Sequence, residues 1–188
     1  MARAKNARTT DDDSLAVRPA RPDDGEALGR MGVALARLHH AYDPARFMLP
    51  DGIEPGYRNW LVREAASRKA VVLVAEVRGA VVGYGYGRLE GKDWNKLLDA
   101  HGELVDLWVD EAARGRGAGE RLVREVHAAL VALGAPRVVL STAAPNVTAQ
   151  RLFARLGWRS TMIEMTKEAE GAEGAEGAEG AKKKRGGS

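Results

Sequence analysis

Cysteine is absent from all 188 residues, which excludes disulfides, thiol nucleophiles and cysteine metal sites together. Long apolar runs are missing too. The apolar stretch at residues 70–75 is far too short to cross a bilayer. Residues 1–13 are polar and charged, unlike the apolar segment of a secretory leader. The expectation is a soluble, cytoplasmic chain with no membrane partner. Metal ligands are scarce as well: His39 and His40 are neighbours that point apart on a helix, with no acid or third histidine at ligand spacing. No metal site is therefore expected. An excess of one charge is also lacking. Net charge is +3, and Lys182, Lys183, Lys184 and Arg185 alone carry four positive charges. The rest is only mildly basic, which argues against a dedicated nucleic-acid binder.

The 45% hydrophobic content suffices for a sizeable core, and the length suits one compact domain with tails. Residues 1–13 read as a disordered segment, 14–167 as the domain, and 168–188 as a disordered tail of Ala-Glu-Gly repeats ending in the lysine run. The acids just upstream favour a self-compensating tail over one that touches nucleic acid.

Within the domain, residues 15–18 predict a strand, and Pro22, Asp23 and Asp24 open a helix to about His39. A second helix is expected over about 55–68, with Tyr57, Trp60, Leu61 and Ala65 at helical spacing. Residues 70–77 and 80–87 form a hairpin about Arg78-Gly79, with Tyr84 and Tyr86 on one face. Residues 90–102 read as a loop or short helix. A central strand spans 103–109, followed by a helix with Leu122, Val123, Val126, Leu130 and Leu133 on one stripe. Residues 137–141 make a parallel strand, Asn146 caps a helix to Leu156, and Gly157 ends it. Residues 162–166 alternate as a last strand would.

Between the central strand and the next helix lies Arg114-Gly115-Arg116-Gly117-Ala118-Gly119-Glu120. Three glycines and two arginines bury almost nothing, but they offer free backbone N–H groups at a helix N-terminus. Such a site binds phosphate oxygens, because the amides donate and the helix dipole favours an anion. A Walker A loop needs Lys-Ser/Thr where Glu120-Arg121 stands, and a Rossmann fingerprint needs glycine where Glu120 stands.

The remaining pattern, Arg-x-x-Gly-x-Gly after a strand ending in Val109, resembles the acyl-CoA pyrophosphate loop of the GNAT (Gcn5-related) N-acetyltransferase superfamily. One strand later, residues 146–158 are similar to that family's Asn-x-x-Ala-x-x-Leu-Tyr-x-x-x-Gly-Phe segment. The resemblance covers about residues 14–167. It implies a mixed α/β fold: a mostly antiparallel sheet with a splayed parallel central pair and helices on both faces. The implied activity is direct acetyl transfer from acetyl-CoA to a small-molecule or peptide amine, with a homodimer left open. It also implies that Leu107 and Val109 bond the cofactor arm, with the Val109 N–H polarising the thioester. Amides of Arg114, Gly115, Arg116, Gly117, Ala118, Gly119 and Glu120 hold the pyrophosphate, and Asn146 contacts pantetheine or steadies the second motif. The first two helices and their connecting loop wall the acceptor site, bringing Tyr42, Phe47, Tyr57 and Trp60 toward substrate.

An acceptor ammonium with a pKa of roughly 10 must lose a proton before attack. By the same resemblance Glu103, six residues before Val109, is the first candidate base. Asp106 is its rival, on the opposite face of a regular strand. The tyrosine that reprotonates the leaving thiolate in many relatives is replaced by Phe153. Tyr84, Tyr86, Ser141 or water are substitutes, and an acyl-CoA-binding sensor without efficient transfer is the alternative reading.

Overall fold

The structure, a computed structural model, describes residues 14–169. The readings for residues 1–13 and for the tail from 170 onward lie outside the described residues. Strand β1 (Ala16–Pro19) is followed by a single 3-10 turn at Pro22–Asp24 and helix α1 (Gly25–Tyr42). Helix α2 (Ile53–Ala65) precedes the hairpin of β2 (Ala70–Val77) and β3 (Ala80–Glu90). Then come β4 (His101–Val109), α3 (Ala118–Ala132), β5 (Val138–Leu140) and α4 (Val147–Arg155). The five strands form one sheet in chain order, antiparallel except for the β4–β5 pair.

Helices cover both faces. Leu122, Val123, Val126 and Leu130 of α3 pack with Leu73, Leu104 and Phe153 on one face. Leu28 and Met31 of α1 and Leu61 of α2 pack with Val72, Val74, Tyr84 and Tyr86 on the other. Burying each of these aliphatic side chains contributes roughly 1.5–3 kcal/mol. Helices α1 and α2 meet closely because α1 turns glycine toward its neighbour. A Cβ at Gly32 would stand 2.3 Å from the Tyr57 ring, so any side chain there would displace Tyr57.

Three expectations are corrected. Residues 162–166 form no strand: Met162, Ile163 and Met165 are 76%, 82% and 89% exposed, because alternation makes a strand only where an edge receives it. Leu133 lies past the end of α3 and is 42% exposed, so the apolar stripe stops at Leu130. Helix α2 runs over Ile53–Ala65, entered through the left-handed Gly52, rather than over 55–68. Residues 90–102 hold no helix; Asp93 and Leu98 bridge across a turn before β4 begins at His101.

Candidate active site

Strand β4 is the spine of the site because one side of it is only partly covered. Strand β5 pairs with Gly102, Glu103 and Leu104, leaving residues 105–109 without a strand on that side among the described residues. The Asp110 N–H donates to the Val82 carbonyl at 2.8 Å, which turns the Asp110 backbone toward β3. Backbone direction alternates along a strand, so the polar groups of Leu107 and Val109 face the open side. The Val109 carbonyl there accepts from Arg114 Nε at 3.0 Å.

Past a 3-10 turn at Glu111–Ala113, the loop reaches α3 through Gly115 and Gly117, with φ of +76° and +85°. Only glycine takes that region at little cost, and a Cβ at either position would meet nothing within 4 Å. The loop's glycines therefore serve backbone shape and leave open space in front of it. Gly117 caps α3 without any side-chain bond, so the first-turn amides of Ala118, Gly119 and Glu120 point outward with no side-chain acceptor. Glu120 would repel an anion there, but Arg124 and Arg155 pair with it at 3.1 and 3.2 Å and hold its carboxyl below the usual range. Arg116 is exposed beside these amides. Asn146 caps α4 as expected, its Oδ1 accepting from the Ala149 N–H at 3.1 Å.

On the α1/α2 face, β4 carries a bulge. Tyr86 pairs with Asp106 and Gly87 with Leu104, so Val105 is the extra residue. That insertion moves Glu103 onto the same face as Asp106, the α1/α2 face, where a regular strand would separate them. Asp106 is 8% exposed, and its Oδ2 accepts from the Tyr84 hydroxyl at 2.9 Å. Burial raises its carboxyl to about 6, against the pull of that hydrogen bond. Burial and the Asp106 charge push the Tyr57 hydroxyl up to about 12, and the same two causes raise Tyr84 well above its ordinary value. The Tyr86 hydroxyl donates to Glu64 Oε2 at 2.8 Å, and Trp60 packs edge-on to Tyr86 at 5.0 Å. Glu103 is half-buried opposite Arg88.

Phe153 is 8% exposed in the α3-side core, 6.0 Å from the Trp158 ring. Tyr84 and Tyr86 lie across the sheet from it, each already donating to a carboxylate. Ser141 is exposed just past β5. His39 stacks on Phe47 at 5.0 Å, and His40 Nδ1 donates to the Phe47 carbonyl at 2.8 Å. Both histidines thus order the α1–α2 loop, and no metal-ligating cluster occurs among the described residues. Sequence reasoning passed over Glu64, and over the Arg30–Asp110 pair that joins α1 to the loop. The close packing of α2 on α1 at Gly25, Gly29 and Gly32 was likewise passed over.

Comparison with known proteins agrees with this architecture. A family model described as Acetyltransferase (GNAT) family matches residues 32–158. A mycothiol acetyltransferase of Mycobacterium leprae is 36% identical over an 86-residue alignment, covering 42% of this chain and 28% of that enzyme. Among solved structures, a BH1408 protein from Bacillus halodurans superposes with a TM-score of 0.70 at 21% identity, over 82% of this chain and 99% of that one. A GCN5-related N-acetyltransferase from Ralstonia eutropha gives 0.64 at 27% identity, over 84% and 100%. The aminoglycoside N-acetyltransferase AAC(6')-Iy in complex with CoA gives 0.63 at 15%, over 84% and 96%. With the matching model covering most of its length, the chain belongs to the acetyltransferase (GNAT) family.

Proposed function

We propose that the protein transfers an acetyl group from acetyl-CoA directly to a primary amine of a small molecule or peptide. The carrying observation is the uncapped, glycine-shaped N-terminus of α3 beside the open side of β4. The helix end suits a pyrophosphate, and an open strand side suits an amide-bearing arm laid along it as another strand would lie. When bound, acetyl-CoA supplies the activated thioester. Amides of residues 115–120 hold its phosphates; the Arg114 N–H expected among them donates instead to the Glu111 carbonyl at 3.1 Å. Leu107 and Val109 hold the arm, and the outward Val109 N–H donates to the carbonyl oxygen as negative charge develops there. Asn146 steadies the second motif from the start of α4.

On the acceptor side, Asp106 takes the ammonium proton, directly or through water. A carboxyl near 6 is ionised at neutral pH and remains basic enough to be useful there. Glu103, on the same face, is the second candidate for that proton. The second nitrogen proton, released as the amide forms, passes through water to the leaving thiolate, since Phe153 carries no hydroxyl and Tyr84 and Tyr86 hold theirs in bonds to carboxylates.

The test is release of CoA thiol from acetyl-CoA across a panel of amines, with Gly117→Asp placing a carboxylate where the phosphates sit. Amine-dependent thiol release by the parent, lost in the variant, supports transfer. Tight acetyl-CoA binding without turnover supports the second reading favoured by Phe153, an acyl-CoA sensor. No binding to a folded parent removes both.

A further inference from the structure

Asp110 follows the last residue of β4, and contacts from four directions converge on it. Its N–H donates to the Val82 carbonyl and its own carbonyl accepts from the Ala113 N–H, both at 2.8 Å. Its carboxylate accepts a forked pair from Arg30 Nη1 and Nη2 at 3.1 and 2.9 Å, and the Trp108 indole N–H at 2.9 Å. Arg30 stands on α1, 80 positions earlier in the chain. The Arg114 guanidinium lies over the Trp108 ring at 5.1 Å while its Nε reaches the Val109 carbonyl. A continuous line of contacts, Arg30 to Asp110 to Trp108 to Arg114, therefore runs from the acceptor-side helix to the first residue of the glycine loop.

Each link is directional. A two-pronged guanidinium–carboxylate pair fixes an angle as well as a distance. The indole N–H sets the orientation of the ring on which Arg114 rests. Burial opposes ionisation of Asp110, yet the bonds from Arg30 and Trp108 hold its carboxyl below the usual range. The anion is therefore secure at working pH.

We propose that Arg30, Asp110 and Trp108 are positioning residues that hold Arg114 at the mouth of the phosphate loop and tie it to α1, so that the loop is already ordered when CoA binds. The proposal rests on the acyl-CoA reading above. Without the line of contacts, Arg114 and the loop must be ordered when CoA arrives, which lowers affinity.

The experiment titrates CoA by calorimetry into the full chain and into Arg30→Ala, Arg30→Lys and Arg46→Ala. Arg46 is the control, a surface arginine paired with Glu164 and outside the line. Arg30→Ala is expected to weaken CoA about fivefold to tenfold, with a melting temperature near the parent's. Arg30→Lys keeps the charge without the fork and falls between, while Arg46→Ala matches the parent. Hydrogen exchange across residues 110–119, read without CoA, is faster in Arg30→Ala. Equal CoA affinity and equal exchange in parent and Arg30→Ala overturn the line of contacts and leave the acyl-CoA reading standing. An equal loss in Arg46→Ala also overturns it, because surface charge alone would then explain the effect. A parent that takes up no CoA overturns the functional reading and this proposal together.

Discussion

The two faces of the sheet are built to different rules. On the α3 face, the buried cluster of Leu73, Leu104, Leu122, Val123, Val126, Leu130 and Phe153 is wholly apolar, and packing is all it does. On the α1/α2 face the largest fully buried side chains are Tyr84 and Tyr86, and Asp106 is buried beside them. A hydroxyl or carboxylate in such a place costs free energy unless bonded, and here each hydroxyl is paired with a carboxylate. A fold with stability as its only requirement would place leucine at these positions. Polar burial confined to one face supports placing the proposed chemistry there, with the other face as its foundation.

That contrast is open to attack from both sides. The largest expected effect is Asp106→Asn, which removes the proposed base and should lower kcat by about 10² to 10⁴. The same variant should be more stable than the parent at pH 8. Burial holds the folded carboxyl at about 6, above the ordinary 3.8, so the unfolded chain ionises first. The parent keeps its full stability below the unfolded value and loses part of it as pH rises through about 6. Asparagine has no such loss, so melts at pH 4 and pH 8 should show the variant's advantage only at pH 8. If Glu103→Gln abolishes turnover while Asp106→Asn spares it, the base is Glu103 and Asp106 is structural. Next, Leu122→Ala on the apolar face should cost roughly 2–5 kcal/mol in urea unfolding, with turnover per folded molecule unchanged. A large fall in turnover there would break the division between the faces.

The legible parts of this fold are those whose causes are local. Asn146 as a cap, Gly157 as a stop and the Arg78-Gly79 turn each follow from a few adjacent residues, and the structure has all three. The glycine loop was legible for the same reason: its positive φ angles need glycine wherever the loop is placed. The bulge at Val105 was not legible, because Leu104-Val105-Asp106 alternates no differently from a regular strand and the extra residue shows only against β3. Asp106 therefore reads from the sequence as lying on the face opposite Glu103, whereas the bulge brings both onto one face. Residues 162–166 failed in the opposite way, since their alternation is real but a strand also needs an edge to pair with. The Arg30–Asp110 pair joins residues 80 positions apart, which no window of sequence contains.

Two smaller effects sharpen the contrast. Tyr84→Phe removes the hydroxyl that donates to Asp106 and lowers its pKa. The acid limb of the kcat/KM profile should then move above about pH 6, with a stability loss of about 1–3 kcal/mol. An unmoved limb would mean that the Tyr84–Asp106 bond takes no part in the titration that controls turnover. Smallest of all is Ile163→Ser, in the exposed stretch where a strand was expected. Since 82% of Ile163 already faces solvent, little apolar area is lost from the folded state. The change should stay within about 0.5 kcal/mol of the parent in thermal melts, with CoA affinity unaltered. A loss of 2 kcal/mol or more (roughly what a buried isoleucine gives) would mean that Ile163 is covered in solution, and that the sheet extends past β5 after all.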